Sequence, residues 1–167
     1  GDTRLLADNY DMMQKLVAFY RAQSVDGLLP KIDGFGDWLQ PYQQSPTLKT
    51  DWRSDRYGDT PRPLLGAAYY ARSTQILADY ARILGKSDDA KKYDADAAST
   101  RAAFTKAYFD ANGKLTLAPE TQTAYVLAIA FNLVPEELKP KLADNLVRLV
   151  HDAGDHLAPQ RRVARGQ

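Results

Sequence analysis

Helical periodicity runs through most of this sequence, and the lengths of the joins between helical stretches constrain the fold more than any single residue. From about Leu5 to Ala22, residues Leu6, Met13, Leu16, Val17 and Tyr20 recur at spacings near three and four, as one helix face requires. Ser24-Val25-Asp26-Gly27 closes that segment. A polar loop rich in Gly, Pro, Asp and aromatics then extends from Leu28 to Asp59. Thr60 as a cap and Pro61 at the first helical position predict a second helix reaching Leu84, with Gly85 as its stop. Ser87-Asp88-Asp89 opens a third, its acids suited to the positive end of a helix dipole. Its apolar stripe is Tyr93, Ala97, Phe104, Ala107 and Tyr108, and Asp110-Ala111-Asn112-Gly113 is a turn. A fourth helix spans Thr121 to about Leu133 and is apolar from Ala124 to Phe131. Pro135-Glu136-Glu137 starts a fifth, carrying Leu138, Leu142, Leu146 and Leu149 towards Gly154. Pro140 inside that pattern predicts a late start or a kink near Glu136 to Lys139. Beyond a short flank of the Asn112-Gly113 turn, no strand is expected. The chain reads as all-α.

Two joins are almost absent: Gly85-Lys86 between helices two and three, and Val134 between helices four and five. The others are long. If sequential helices pack antiparallel, every long connector emerges at one end and every short turn at the other. Helices two and four are the more apolar, whereas three and five carry charge on one face. Inner helices covered all round and outer helices half solvated describe an antiparallel α-hairpin array of about five helices. Binding groups concentrate on loops held by a rigid scaffold, so the long-connector end is the expected functional face.

Composition removes several function classes. The chain has 22 Lys and Arg against 21 Asp and Glu, a net charge of +1, which argues against a nucleic-acid or anionic-membrane binder. With no cysteine there is no disulfide, no thiolate metal site and no cysteine nucleophile. No apolar run reaches the roughly 18 to 20 residues of a bilayer span, and no basic-then-apolar leader is read at Gly1. Residues 1–157 read as a single domain, and the basic stretch 158–167, with Arg161, Arg162 and Arg165, as a disordered tail.

Few residues suggest chemistry. In Gly34-Phe35-Gly36-Asp37-Trp38-Leu39, two glycines let the backbone turn sharply and present a carboxylate beside an indole. An indole stacks on the apolar face of a sugar ring while a carboxylate accepts its hydroxyl hydrogen bonds; equally, Trp38 can plug the helix ends while Asp37 caps a turn. Asp51, Asp55 and Asp59 could hold a cation or act as acid and base, but Arg53 and Arg56 among them favour solvated, paired loop charges. Asp110-x-Asn112 hints at a calcium loop, but Lys114 stands where an oxygen ligand is needed. Asp88-Asp89 and Glu136-Glu137 each fit the first turn of a helix. His151 and His156 have no companions at metal spacing, and no cofactor-binding or nucleophile motif occurs. Gln122 opens helix four at the long-connector end, where it can cap the helix or touch a ligand.

The order of motifs carries more than any one of them. Gly36-Asp37-Trp38-Leu39 is followed by Thr60-Pro61, then Leu65-Gly66-Ala67-Ala68-Tyr69-Tyr70, Ala81-Arg82-Ile83-Leu84-Gly85-Lys86, Tyr108-Phe109-Asp110, Gln122-Thr123-Ala124-Tyr125-Val126-Leu127-Ala128 and Pro135-Glu136-Glu137. From about Asn9 to Leu157 this resembles the middle of the catalytic domain of bacterial α-L-rhamnosidases, glycoside hydrolase family 78. The resemblance implies part of an (α/α)6 barrel and inverting hydrolysis of terminal α-L-rhamnosides, in which one carboxylic acid protonates the leaving oxygen and a second carboxylate activates water. Similar proteins carry these two groups in segments on either side of the matched region, and neither segment is recognisable here. The resemblance therefore implies no catalytic residue in this chain and assigns Asp37 and Trp38 to substrate binding. It also implies apolar faces on helices two and four that further helices would cover; a third reading is self-association through those faces, completing the ring from two copies. The rival reading is a helical scaffolding module whose concave face grips a peptide or subunit.

Overall fold

The computed structural model describes residues 2–29, 36–37, 59–117 and 119–152. Among them are five α-helices: α1 (Thr3–Gln23), α2 (Arg62–Ile83), α3 (Ser87–Tyr108), α4 (Gln122–Ala130) and α5 (Lys139–Asp152). The tail expected at 158–167 lies outside the described residues. None of the described helices is long and apolar enough to cross a membrane.

Helix ends follow the local chemistry. α2 stops where Gly85 takes φ +72°, so that Lys86 N–H reaches Ala81 C=O at 2.8 Å and Gly85 N–H reaches Arg82 C=O at 3.1 Å. α4 stops the same way three residues earlier than the sequence suggests. Asn132 adopts φ +55°, and Leu133 N–H bonds Ala128 C=O at 2.9 Å. An asparagine tolerates the left-handed region less freely than glycine, so this stop is weakly written in sequence. Glu136–Leu138 form one 3-10 turn before α5, which leaves Pro140 in the first turn of the α-helix. The late start is realised and the kink is not, because a first-turn amide has no intrahelical acceptor to lose.

The polar contacts fix the helix directions. Arg82 and Gln75 of α2 bond Asp94 of α3 at 2.7 and 3.1 Å, and Gln75 accepts from Arg101 at 2.6 Å. Falling numbers on α2 meet rising numbers on α3, so the two are antiparallel. α1 runs alongside α3 in the same sense: Tyr10 donates to Asp89 at 3.0 Å, Gln14 to the Tyr93 hydroxyl at 3.1 Å, and Arg21 to Asp96 at 3.0 Å. Asp89 thus joins two helices as well as complementing its own dipole. Burial, reinforced by the carboxylate acceptor, raises the Tyr10 phenol pKa well above its ordinary value.

The interior divides into two apolar clusters along the α2–α3 spine. The larger gathers Leu64, Phe104, Tyr108, Phe109, Tyr125, Leu133 and Leu142 from α2, α3, α4, α5 and their joins. The smaller gathers Tyr10 and Val17 with Tyr70, Leu77 and Tyr93. One expectation on α1 fails: Leu16 is 45% exposed, and Tyr10 is buried on the packed face instead. α1 bears two apolar stripes, and spacing alone does not say which one meets α2.

The expected turn at Asp110 forms. Asp110 Oδ1 accepts from the Asn112 and Lys114 amides at 2.8 and 2.9 Å, and Gly113 takes φ +68°. A Cβ there would lie 2.9 Å from both Leu142 Cδ1 and Lys141 Cβ, so glycine also permits the close approach of α5. A single antiparallel bridge, Phe109 to Leu115, is the short extended flank. One oxygen of the Asp110 carboxylate thus serves the backbone of its own turn.

Candidate functional site

Asp37 lies at the end of the array where the long connectors meet α2 and α4. Its carboxylate oxygen Oδ2 accepts two threonine hydroxyls, Thr60 Oγ1 at 2.9 Å and Thr123 Oγ1 at 2.8 Å. Thr60 lies two residues before the start of α2, and Thr123 is in the first turn of α4. One carboxylate thus ties the loop to the amino ends of the two inner helices. The Thr60 and Thr121 hydroxyls lie 2.9 Å apart, extending the chain of contacts beneath Asp37. Thr60 is nearly fully buried, and Thr121 is buried as well. Negative charge beside two helix amino ends also has a favourable field.

The capping roles differ from expectation. Pro61, not Thr60, holds the cap position of α2 and, having no polar side-chain atom, makes no side-chain cap bond; the Thr60 hydroxyl instead bonds Asp37 and lies 2.9 Å from that of Thr121. Thr121 caps α4 by accepting from Ala124 N–H at 3.4 Å, which leaves Gln122 half-buried as the first residue of that helix. Gly36 takes φ +64°, the sharp turn expected before Asp37. Trp38, the proposed stacking partner of a sugar, lies outside the described residues, as do Gly34, Phe35, Asp51 and Asp55.

A second polar group supports the same end from α5. Tyr125, fully buried, donates to Glu120 Oε1 at 2.6 Å and accepts from Leu115 N–H at 2.9 Å. Arg148 of α5 grips both oxygens of Glu120, at 3.1 and 3.0 Å. Burial, then the Glu120 acceptor, pushes the Tyr125 phenol up to about 12. A raised phenol holds its proton more tightly in the folded chain than in the unfolded one, whose value is near 10. Its contribution to stability is complete below about pH 10 and is lost as pH rises through about 12. Tyr125→Phe is expected to cost about 1–3 kcal/mol at pH 8, since it strands a buried amide and a carboxylate. Its urea midpoint should then fall less between pH 8 and pH 11 than that of the wild type.

The described residues contain no cluster of three or more His, Asp or Glu side chains able to hold a metal ion. Tyr69 of α2 and Val126 of α4 are about half exposed, and Tyr69 packs edge-on against Phe131 at 5.3 Å. Sequence reasoning named Asp37 but not the threonines beneath it. Their signal was threonine at the start of each helix that follows a long connector.

Residues 1–159 match the family described as the bacterial alpha-L-rhamnosidase 6 hairpin glycosidase domain. An alpha-L-rhamnosidase from Formosa agariphila is 39% identical over 157 residues, covering 94% of this chain and 16% of that protein. The crystal structure of Streptomyces avermitilis alpha-L-rhamnosidase complexed with L-rhamnose superposes with a TM-score of 0.76 and 34% identity, over 95% of this chain and 13% of that one. The native enzyme from Aspergillus terreus gives a TM-score of 0.76 at 27% identity, over 93% of this chain and 17% of that one. The chain therefore spans about a sixth or less of the length of these proteins.

Proposed function

The chain belongs to the bacterial α-L-rhamnosidase six-hairpin glycosidase domain family, an (α/α)6 barrel fold, and from that premise we propose that it forms part of a hydrolase of terminal α-L-rhamnosides. Within it, the Gly36–Leu39 loop contributes to the sugar pocket, with Trp38 stacking on the ring and Asp37 placing the loop and accepting sugar hydroxyls. The observation that carries this reading is the anchoring of Asp37 across the amino ends of α2 and α4. That position sets Asp37 at the amino ends of two helices that each follow a long connector.

The reaction is inverting: one carboxylic acid protonates the glycosidic oxygen, and a second carboxylate removes a proton from water attacking the opposite face. Both groups belong to segments flanking the matched region. This chain alone therefore binds without turnover. A helical scaffold without sugar recognition is the competing reading.

Fluorescence separates the two. The chain has two tryptophans, Trp38 and Trp52, so a single substitution isolates each. Titration with L-rhamnose is expected to give a saturable change that Trp38→Ala removes and Trp52→Phe retains. A flat wild-type response would favour the scaffold. Turnover of an aryl α-L-rhamnoside by the purified chain, abolished by Asp37→Asn, would overturn the assignment of the missing carboxylates.

A further inference from the structure

The threonines beneath Asp37 do not all stand in the same relation to it. Thr60 and Thr123 each donate to its Oδ2, at 2.9 and 2.8 Å, the first from just before α2 and the second from the first turn of α4. A hydroxyl has one proton to give. With the Thr60 proton on Asp37, Thr121 is therefore the donor across the 2.9 Å to Thr60. The Thr121 oxygen in turn accepts from Ala124 N–H. The chain of bonds thus has one direction, ending on the carboxylate, and Thr121 serves the α4 cap rather than Asp37. Both anchoring hydroxyls use the same oxygen, which leaves Oδ1 out of the anchor. Two donors based on separate helices hold the carboxylate against pivoting, where one alone would let it turn about the bond. Threonine suits the task, since branching at Cβ restricts its χ1 and so the directions its hydroxyl can take. Orienting a binding group in advance removes an ordering cost from association.

We propose that Thr60 and Thr123 are positioning residues of the sugar site: gripping Oδ2 from two helices, they orient Asp37 so that Oδ1 accepts a sugar hydroxyl. Their role rests on the sugar-binding part proposed for Asp37 and acts entirely through that carboxylate.

Titration of tryptophan fluorescence with L-rhamnose tests it in the full chain, with a urea midpoint measured beside each affinity. Thr123 is half-buried, and Thr123→Val keeps the shape while removing the hydroxyl. It is expected to raise the dissociation constant about tenfold with an unchanged helical circular dichroism spectrum. Thr123→Ser, which keeps the hydroxyl, should restore most of that affinity. Thr60→Val should weaken binding similarly, and both valines together should abolish the saturable response, as Asp37→Ala does. Thr121→Val is the control: loss of the α4 cap lowers the urea midpoint, while the dissociation constant stays within about twofold of the wild type. A wild-type chain that saturates while Thr123→Val binds equally well would overturn the positioning role and leave the sugar site standing. Equal weakening by Thr121→Val would also overturn it, because lost stability alone would then explain the effect. A wild-type chain with no response would remove the sugar reading, and this role with it.

Discussion

Asp37→Ala is expected to lower the stability of the chain by about 2–3 kcal/mol and to remove the response to L-rhamnose in the same variant. The carboxylate accepts the Thr60 and Thr123 hydroxyls at 2.9 and 2.8 Å, and a hydrogen bond to a charged group contributes about 1.5–3 kcal/mol. The loss is less than twice that figure, because Thr60 and Thr121 already lie within bonding distance and can turn towards each other. Asp37→Asn keeps an oxygen acceptor and should cost about 1 kcal/mol. Urea titration gives the stabilities, and tryptophan fluorescence gives the sugar response. If Asp37→Ala unfolds at the wild-type midpoint, the carboxylate does not anchor the loop. If stability falls while the sugar response survives, the loop is structural and the sugar is bound elsewhere.

Phe104→Ala is expected to cost more, about 4 kcal/mol, a large share of the 5–15 kcal/mol that a domain usually has. Phe104 is fully buried at the centre of the larger cluster, with ring centroids 5.0 Å from Tyr108 and 6.0 Å from Phe109. Those neighbours come from the end of α3 and the bridged segment after it, so they cannot collapse into the space without breaking the Phe109–Leu115 pairing. The urea midpoint should drop with little change in slope, the sign that stability rather than compactness has changed. A loss below about 1.5 kcal/mol would mean that the cluster repacks freely.

Much of this architecture is legible in the sequence because it rests on local chemistry. Gly85 stops α2, Gly113 makes the turn, and Pro140 delays α5, each through a backbone constraint that neighbours do not override. The stripe on α1 was less legible: two apolar faces satisfy the same periodicity, and only tertiary packing chooses Tyr10 over Leu16. The site was half legible. A glycine-flanked acid beside an indole is visible as a motif, but the Thr60, Thr121 and Thr123 hydroxyls look like ordinary helix-start residues. Their service to Asp37 joins residues up to 86 positions apart, a separation no local pattern encodes.

The split of the apolar interior into two clusters has a consequence for how the molecule comes apart. α1 contributes only to the smaller cluster, whereas Leu64, four residues after Thr60, and Ala124, next to Thr123, belong to the larger. Peeling α1 away therefore exposes one end of the spine and leaves the other end closed. Opening of α1 is thereby insulated from the amino ends of α2 and α4, so α1 can detach and redock while the Asp37 staple stays fastened.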